Sequence, residues 1–323
     1  MSPRAPRSTR IGVAIGDPNG IGPEIAVRAA LALHEAEGTR CLLFAEHWLI
    51  AAVCERLAID PAAAQRAFEV RHCGALAPGD WQPGAVSAAA GAATVAYVRA
   101  AVDAERAGEI GAVGAAPHCE AAVNASGRPF SGYSGLLAEL LGLPAGRAHL
   151  FLEACGLRVV HATLHESVRA AAARLRPEMV LAAARAARDT LLSWGVAEPR
   201  LCVVGINPHA GENGLFGDED EDVTKPAVQA MRALGWRVDG PLAADVALSE
   251  RRHDAYVAML HDQGHIAVKM LCPKGATAWV AGIPLRFASV GHGAAFDIAG
   301  QGRADATALS DTLVLLHRVL HTP

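Results

Sequence analysis

The stretch Asp254-Ala-Tyr-Val-Ala-Met-Leu-His-Asp-Gln-Gly-His-Ile-Ala-Val-Lys-Met270 changes character at its centre. Residues 255 to 260 form an unbroken apolar run of strand length, and the polar cluster His261, Asp262, Gln263 and Gly264 follows at once. A strand covered on both faces reads as such a run. Open α/β sheets bind ligands at the carboxyl ends of their strands. His261 and Asp262 are therefore expected beside a ligand.

Two further segments repeat the pattern. Leu157-Arg-Val-Val-His-Ala-Thr-Leu runs into His165, and Leu201-Cys-Val-Val-Gly-Ile-Asn-Pro runs into His209. Neutral imidazole is the commonest metal ligand, and three protein ligands with an open position suit a metal that polarises a substrate oxygen. The competing reading is that each histidine separately caps a strand or completes a core hydrogen bond.

The rest of the chain bounds the function. Its 323 residues suit two ordinary domains, and 52% apolar content is ample for a core. A net charge of -4 and a pI near 6.4 leave no basic footprint for nucleic acid or an anionic membrane. No apolar segment has membrane-spanning length. The basic start, Arg4, Arg7 and Arg10, reads as a disordered terminus. Seven dispersed cysteines without a Cys-x-x-Cys pair read as reduced thiols. The expectation is a soluble, cytoplasmic protein.

In chain order, Arg10 to Ile15 is a buried strand breaking into the glycine-rich loop Gly16-Asp-Pro-Asn-Gly-Ile-Gly-Pro-Glu24, then a helix from Ile25 to Ala36. This loop matches neither a dinucleotide fingerprint nor a P-loop. Asp17 is either functional or a turn-former. Arg40 to Phe44 is a second strand, and helices follow near Trp48–Leu57 and Ser87–Ala107. Ile110 to Ala116 is a short strand ending in Pro117-His-Cys-Glu120. Gly127 to Gly135 reads as a long loop, either functional or an ordinary surface turn. Helices are expected near Ser167–Arg174, Pro177–Trp194 and Thr224–Leu234, and the acidic run Asp218 to Asp222 as a solvated face. The alternation of strands and helices argues for parallel βαβ units. Near the end, Ser289 to Arg303 concentrates glycine and small residues around His292 and Asp297, where backbone could approach a ligand closely.

Together Gly16-Asp-Pro-Asn-Gly-Ile-Gly-Pro-Glu24, Asn207-Pro-His-Ala-Gly211, His261-Asp-Gln-Gly264 with Lys269, and His292-Gly-Ala-Ala-Phe-Asp-Ile-Ala-Gly300 resemble the 4-hydroxythreonine-4-phosphate dehydrogenases. The match is in order over nearly the whole chain. It implies an α/β fold like isocitrate and isopropylmalate dehydrogenases: two α/β/α domains around a central cleft, 1–128 plus 275–323 and 129–274. It also implies NAD, a homodimer with shared active sites, and a divalent metal, zinc first, with iron, cobalt or magnesium as alternatives. The implied metal ligands are His165 and His209 from one subunit and His261 from the other.

This chain departs from the phosphate-handling pattern. It has Gly132-Tyr-Ser-Gly135 where that family has Gly-His-Thr-Glu, and Glu120 where the family has a lysine. The family's later asparagine and arginine fall near Ala278 and Phe287, with Arg286 beside the latter. Losing such partners removes strong charge-assisted bonds to a phosphate dianion. Pro117-His-Cys-Glu120, Phe130-Ser-Gly-Tyr133, His161-Ala-Thr-Leu-His-Glu-Ser-Val168 and Val290-Gly-His-Gly293 instead resemble the terephthalate dihydrodiol dehydrogenases. That resemblance implies oxidative decarboxylation of 1,2-dihydroxy-3,5-cyclohexadiene-1,4-dicarboxylate to protocatechuate; the alternative is a dehydrogenase of 4-phosphohydroxythreonine or a related phosphorylated hydroxy acid. Lys269 and Asp262 are then candidates to orient hydroxyls or move the carbinol proton, with Asp245 in support. Gly291, His292, Gly293, Asp297 and Gly300 would bind cofactor, and Tyr133, Ser134 and Arg128 would contact substrate.

Overall fold

The structure is a computed structural model that describes residues 8–144, 146–273 and 275–322; Arg4 and Arg7 of the basic start lie outside these residues. Among the described residues the strands in chain order are β1 (Ile11–Ala14), β2 (Cys41–Ala45), β3 (Phe68–His72), β4 (Ala112–Ala115), β5 (His149–Ala154) and β6 (Leu157–His161). They continue with β7 (Arg200–Val204), β8 (Arg237–Leu242), β9 (Ala255–Ala258), β10 (Thr277–Ala281) and β11 (Phe287–Val290). The chain divides into two compact units, residues 1–136 with 284–321, and residues 137–283 with 322–323. These boundaries fall eight and nine residues beyond the expected 128/129 and 274/275.

The first unit orders its strands β3-β2-β1-β4-β11, with every neighbouring pair parallel. β1, β2, β4 and β11 are buried along their full length. Helices Gly22–Glu37 and Thr307–His321 pack on each other and on this sheet, and Ala88–Arg106 packs on β1, β2 and β4. Pro23 sits in the first turn of the Gly22–Glu37 helix, where its missing N–H costs nothing. Ser87 caps the Ala88–Arg106 helix by accepting from Ala90 N at 3.2 Å. β1 connects onward to β2 on one side while β4 lies on its other side, so the strand order reverses between β1 and β4.

The second unit orders its strands β10-β5-β6-β9-β7-β8. β10, β5 and β6 pair antiparallel, whereas β6, β9, β7 and β8 pair parallel. Three adjacent parallel strands, β6, β9 and β7, therefore open their carboxyl ends on one edge. His161 ends β6 with His165 four residues on; His261 follows β9 after Met259 and Leu260, and His209 lies in the loop after β7. The apolar run 255–260 stops being strand at Ala258 because Gln263 Oε1 accepts from Met259 N at 2.8 Å, starting the helix His261–Leu271.

Three local expectations change. The stretch Gly127 to Gly135 is not loop throughout, because a helix begins at Tyr133 and runs to Leu140. The acidic run is not simply solvated: Asp220 is fully buried in a π-helical turn, Asp220–Thr224. Between residues 57 and 74, where no element is expected, Pro61–Ala67 is a helix capped by Asp60 and leads directly into β3. All seven cysteines are free. No helix among the described residues is long and apolar enough to cross a membrane.

Candidate active site

Four imidazoles gather at the edge where β6 and β9 end. His261 and His265, one turn apart, stack at 3.7 Å between ring centroids and 13° between planes. His165 lies 5.3 Å from His261, and His161 lies 4.7 Å from His265. Two of these, His165 and His261, are sequence candidates. His161 and His265 are not, although the four-residue spacing from His261 to His265 was a readable sign that both share a helix face.

The hydrogen bonds assign the tautomers. His161 Nδ1 is 3.4 Å from the Leu150 carbonyl, which can only accept, so Nδ1 carries the proton and Nε2 accepts. His265 Nδ1 then donates to His161 Nε2 at 3.1 Å and lies 3.2 Å from the His261 carbonyl. This leaves the lone pair of His265 on Nε2. Burial, reinforced by the neighbouring imidazoles, holds His161 down at about 3 and His265 at about 4. Both are neutral near pH 7. His261 Nδ1 meets Asp262 Oδ1 at 2.7 Å, an arrangement that fixes the ring and frees Nε2.

Such a donor set suits a divalent metal: clustered imidazoles, one oriented by a carboxylate. Among the described residues of one chain, however, no group of three or more His, Cys, Asp or Glu side chains stands in metal-holding geometry. His209 occupies a different loop, its ring 6.1 Å from Phe216. That loop is strained, with positive φ at His209 (54°), Ala210 (52°), Glu212 (44°) and Asn213 (55°). Asp220 holds its base. Its carboxylate accepts from Ile206 N at 2.8 Å, Asn207 N at 2.9 Å and Thr224 Oγ1 at 2.7 Å.

Lys269 lies two turns beyond His261 on the same helix, and burial pushes its ammonium below the usual lysine range. Asp245 is placed elsewhere. It lines a groove with Gln263, Ile266 and Met270, so it meets a part of that helix other than the stacked rings.

The remaining candidates lie in the first unit. Ile21 N donates to the Ala294 carbonyl at 2.9 Å, tying the loop after β1 to the glycine-rich closing segment. His292 Nδ1 is 3.0 Å from the Gly293 carbonyl, and Gln301 Nε2 donates to the Asp297 carbonyl at 2.8 Å. Gly300 adopts φ 70°, and a Cβ there would meet Arg56 Nη1 at 2.5 Å. Its lack of a side chain thus already serves the Arg56 guanidinium, which donates to the Gly300 carbonyl at 2.9 Å. Glu24 anchors the same segment by accepting from Gly302 N and Ala304 N at 3.2 and 2.9 Å. A small cleft of about 20 Å³ lies beside Gly20, Arg56, Trp81 and Gly300. Tyr133 is 5% exposed and donates its hydroxyl to the Ala116 carbonyl at 2.8 Å, while Ser134 and Arg128 are half-buried.

Known proteins place this architecture. A 1,2-dihydroxy-3,5-cyclohexadiene-1,4-dicarboxylate dehydrogenase of Comamonas sp is 46% identical over 308 residues, 95% of this chain and 96% of the relative. The crystal structure of a terephthalate 1,2-cis-dihydrodiol dehydrogenase from Burkholderia xenovorans LB400 is 43% identical with TM-score 0.69, covering 97% of this chain and 98% of that one. A 4-hydroxythreonine-4-phosphate dehydrogenase structure from Klebsiella pneumoniae is 32% identical with TM-score 0.82, covering 97% and 100%. The family model described as pyridoxal phosphate biosynthetic protein PdxA matches residues 26–315. With that match and these dehydrogenase relatives across nearly its whole length, the chain belongs to the PdxA family.

Proposed function

We propose that this protein is an NAD-dependent, metal-dependent dehydrogenase that oxidatively decarboxylates 1,2-dihydroxy-3,5-cyclohexadiene-1,4-dicarboxylate to protocatechuate. The observation that carries the metal part is the imidazole cluster with His261 oriented by Asp262. The substrate follows from the 46% identity to the Comamonas enzyme of that name. His165, His209 and His261 would hold the metal, zinc first. When bound, it would supply Lewis-acid stabilisation of negative charge on a substrate oxygen.

The chain's own groups carry the proton work. Lys269, with its ammonium destabilised by burial, suits removal of the carbinol proton. Asp262 fixes His261, and Asp245 would act from its groove rather than within the imidazole cluster. NAD, when bound, would supply the hydride acceptor for the secondary carbinol, whose oxidation leaves a ketone β to a carboxylate. Carbon dioxide would then depart, its bonding pair forming an enolate whose new carbon–carbon double bond completes the aromatic ring, and the proton taken by the base would return to the enolate oxygen. Gly291, His292, Gly293, Asp297 and Gly300 of the closing segment would bind the cofactor. Tyr133 would act as a buried wall behind the substrate, with Ser134 and Arg128 nearer solvent.

Steady-state comparison of two substrates tests the reading, following NADH and protocatechuate together. The cyclic cis-diol dicarboxylate should be oxidised efficiently and 4-phosphohydroxythreonine negligibly, because a site without partners for a phosphate leaves the dianion desolvated and unpaired. A higher kcat/KM for the phosphorylated amino acid would return the protein to the alternative activity.

A further inference from the structure

The Nε2 lone pair of His261 can serve a metal only while the ring keeps one plane, and the bond to Asp262 does not hold that plane alone. The His261 side chain is 32% exposed and that of Asp262 80%, so water competes for the bond and the pair restrains the ring weakly. One face of the ring is covered more firmly. His265 lies against it at 3.7 Å between centroids and 13° between planes, so the two faces are in van der Waals contact. Turning the His261 ring about its Cβ–Cγ bond would drive its edge into His265. His165, at 5.3 Å and 46°, does not lie flat against His261.

His265 is itself held in place. Its Nδ1–H donates to His161 Nε2 at 3.1 Å. His161 is 1% exposed, with Nδ1 bonded to the Leu150 carbonyl of β5. Restraint thus passes by direct contacts from the β5 backbone through His161 and His265 to His261, all within the second unit. The same stack decides between two roles for His265. A metal lies about 2 Å from an imidazole nitrogen, along the in-plane lone pair. Nearly parallel rings 3.7 Å apart cannot both aim such a lone pair at one ion, because the ion would sit far out of both planes. His265 is therefore placed as a support for His261 and not as a second ligand beside it.

We propose that His161 and His265 are positioning residues that lock the His261 ring plane, so that the aim of its Nε2 is set from the β5 backbone. The proposal deepens the metal-dependent reading and rests on it only for what Nε2 binds. Variants of the full-length protein separate the stack from the hydrogen bond. His265→Phe keeps a ring against His261 but cannot bond to His161; His265→Asn places an amide N–H near Nδ1 but has no ring. His161→Gln can accept where Nε2 does, and His161→Leu cannot. Proton NMR of the metal-free protein reads the stack through the ring-current shift of the His261 ring protons. Added cobalt(II) reads affinity and, in its visible band, ligand geometry. His265→Asn should remove the ring-current shift, weaken cobalt binding by about tenfold or more and alter the band. His265→Phe should keep the shift and most of the affinity, and Asp262→Asn should cost less affinity than His265→Asn. His161→Gln should stay near wild type while His161→Leu follows His265→Asn, with thermal midpoints confirming that each variant folds. A folded His265→Asn protein with wild-type ring shifts, cobalt affinity and band would overturn the inference. So would His265→Phe losing as much affinity as His265→Asn, which would make His265 a ligand. Wild-type protein that binds no cobalt would instead overturn the metal reading, and the ring shifts of the same variants would still decide whether His265 holds His261.

Discussion

Asp17 shows what a single residue of the glycine-rich loop does. Its Oδ1 accepts from Asn19 N at 2.9 Å, which makes it a turn-former, yet its Oδ2 is buried without a partner among the described residues. Burial raises its carboxyl from 3.8 to about 6, against the lowering effect of the Asn19 and Gly20 backbone bonds. Between those values the folded chain retains a proton that the unfolded chain releases. The stabilisation is fully present below 3.8 and is lost as pH rises through 6. At about 1.4 kcal/mol per unit, the loss is on the order of 3 kcal/mol. Asp17→Asn, which keeps an Oδ1 acceptor and cannot ionise, should therefore gain on wild type by roughly that amount between pH 4 and pH 7. Parallel stability curves in a pH series of urea unfolding would show that Asp17 does not carry this burden. Asp220 is the contrasting case, a buried carboxylate whose bonds to two backbone N–H groups and a threonine hydroxyl compensate its desolvation.

The helix His261–Leu271 is the element on which the imidazole cluster depends. It sits close to β6 because residue 264 has no side chain: a Cβ there would lie 2.4 Å from His161 Nε2 and 2.7 Å from Val159 Cγ1. Gly264→Ala must push the helix or the His161 ring aside. Overpacking of this kind costs about 1–3 kcal/mol, and the displaced ring would break the bond between His161 and His265. The variant should lose thermal stability and bind zinc more weakly in equilibrium dialysis; unchanged values for both would mean that the contact relaxes freely. Much of this element is legible in sequence, since the switch from apolar run to polar cluster at His261 marks both the strand end and the helix start. The inward role of His161 is not, because a histidine ending an apolar run reads alike whether it points into the sheet or towards solvent. Asp220 is hidden for the opposite reason: in the run Asp218 to Asp222 composition gives no hint of which carboxylate turns inward, and the loop after β7 makes that choice with its unpaired N–H groups. Tyr133 likewise reads as loop in sequence, because Gly-Tyr-Ser-Gly carries the residues of a turn as well as the start of a helix.

At the scale of the whole molecule, the metal-ligand set within one chain raises the question of a second copy. His165 and His261 of the same chain stand side by side, while His209 lies on its own loop and no three-ligand group is assembled among the described residues. The helix that supplies His261 also presents Ile266 at 59%, Met270 at 78% and Leu271 at 38% exposure, and the helix Ala244–Glu250 beside it adds Val246 at 50%. Together with buried Leu157 and Leu248 these helices form a groove of apolar side chains on a part of the His261–Leu271 helix other than the stacked rings. Exposed apolar surface of this kind marks an association site, and a twofold dimer uses the same patch on both copies. A second copy covering this groove would meet the helix that carries His261, as the sharing of ligands between subunits implied by the family resemblance requires. Met270→Asp should therefore shift the protein to monomer in sedimentation experiments and reduce zinc retention as well as turnover. Subunit mixing decides how the ligands divide. His209→Ala and His261→Ala proteins, each expected to be inactive alone, should recover activity when exchanged into heterodimers, because one of the two sites regains His165 and His209 from one chain and His261 from the other. If subunit exchange is demonstrated and activity stays absent, the neighbouring His165 and His261 of a single chain belong to one site, and the groove serves assembly alone.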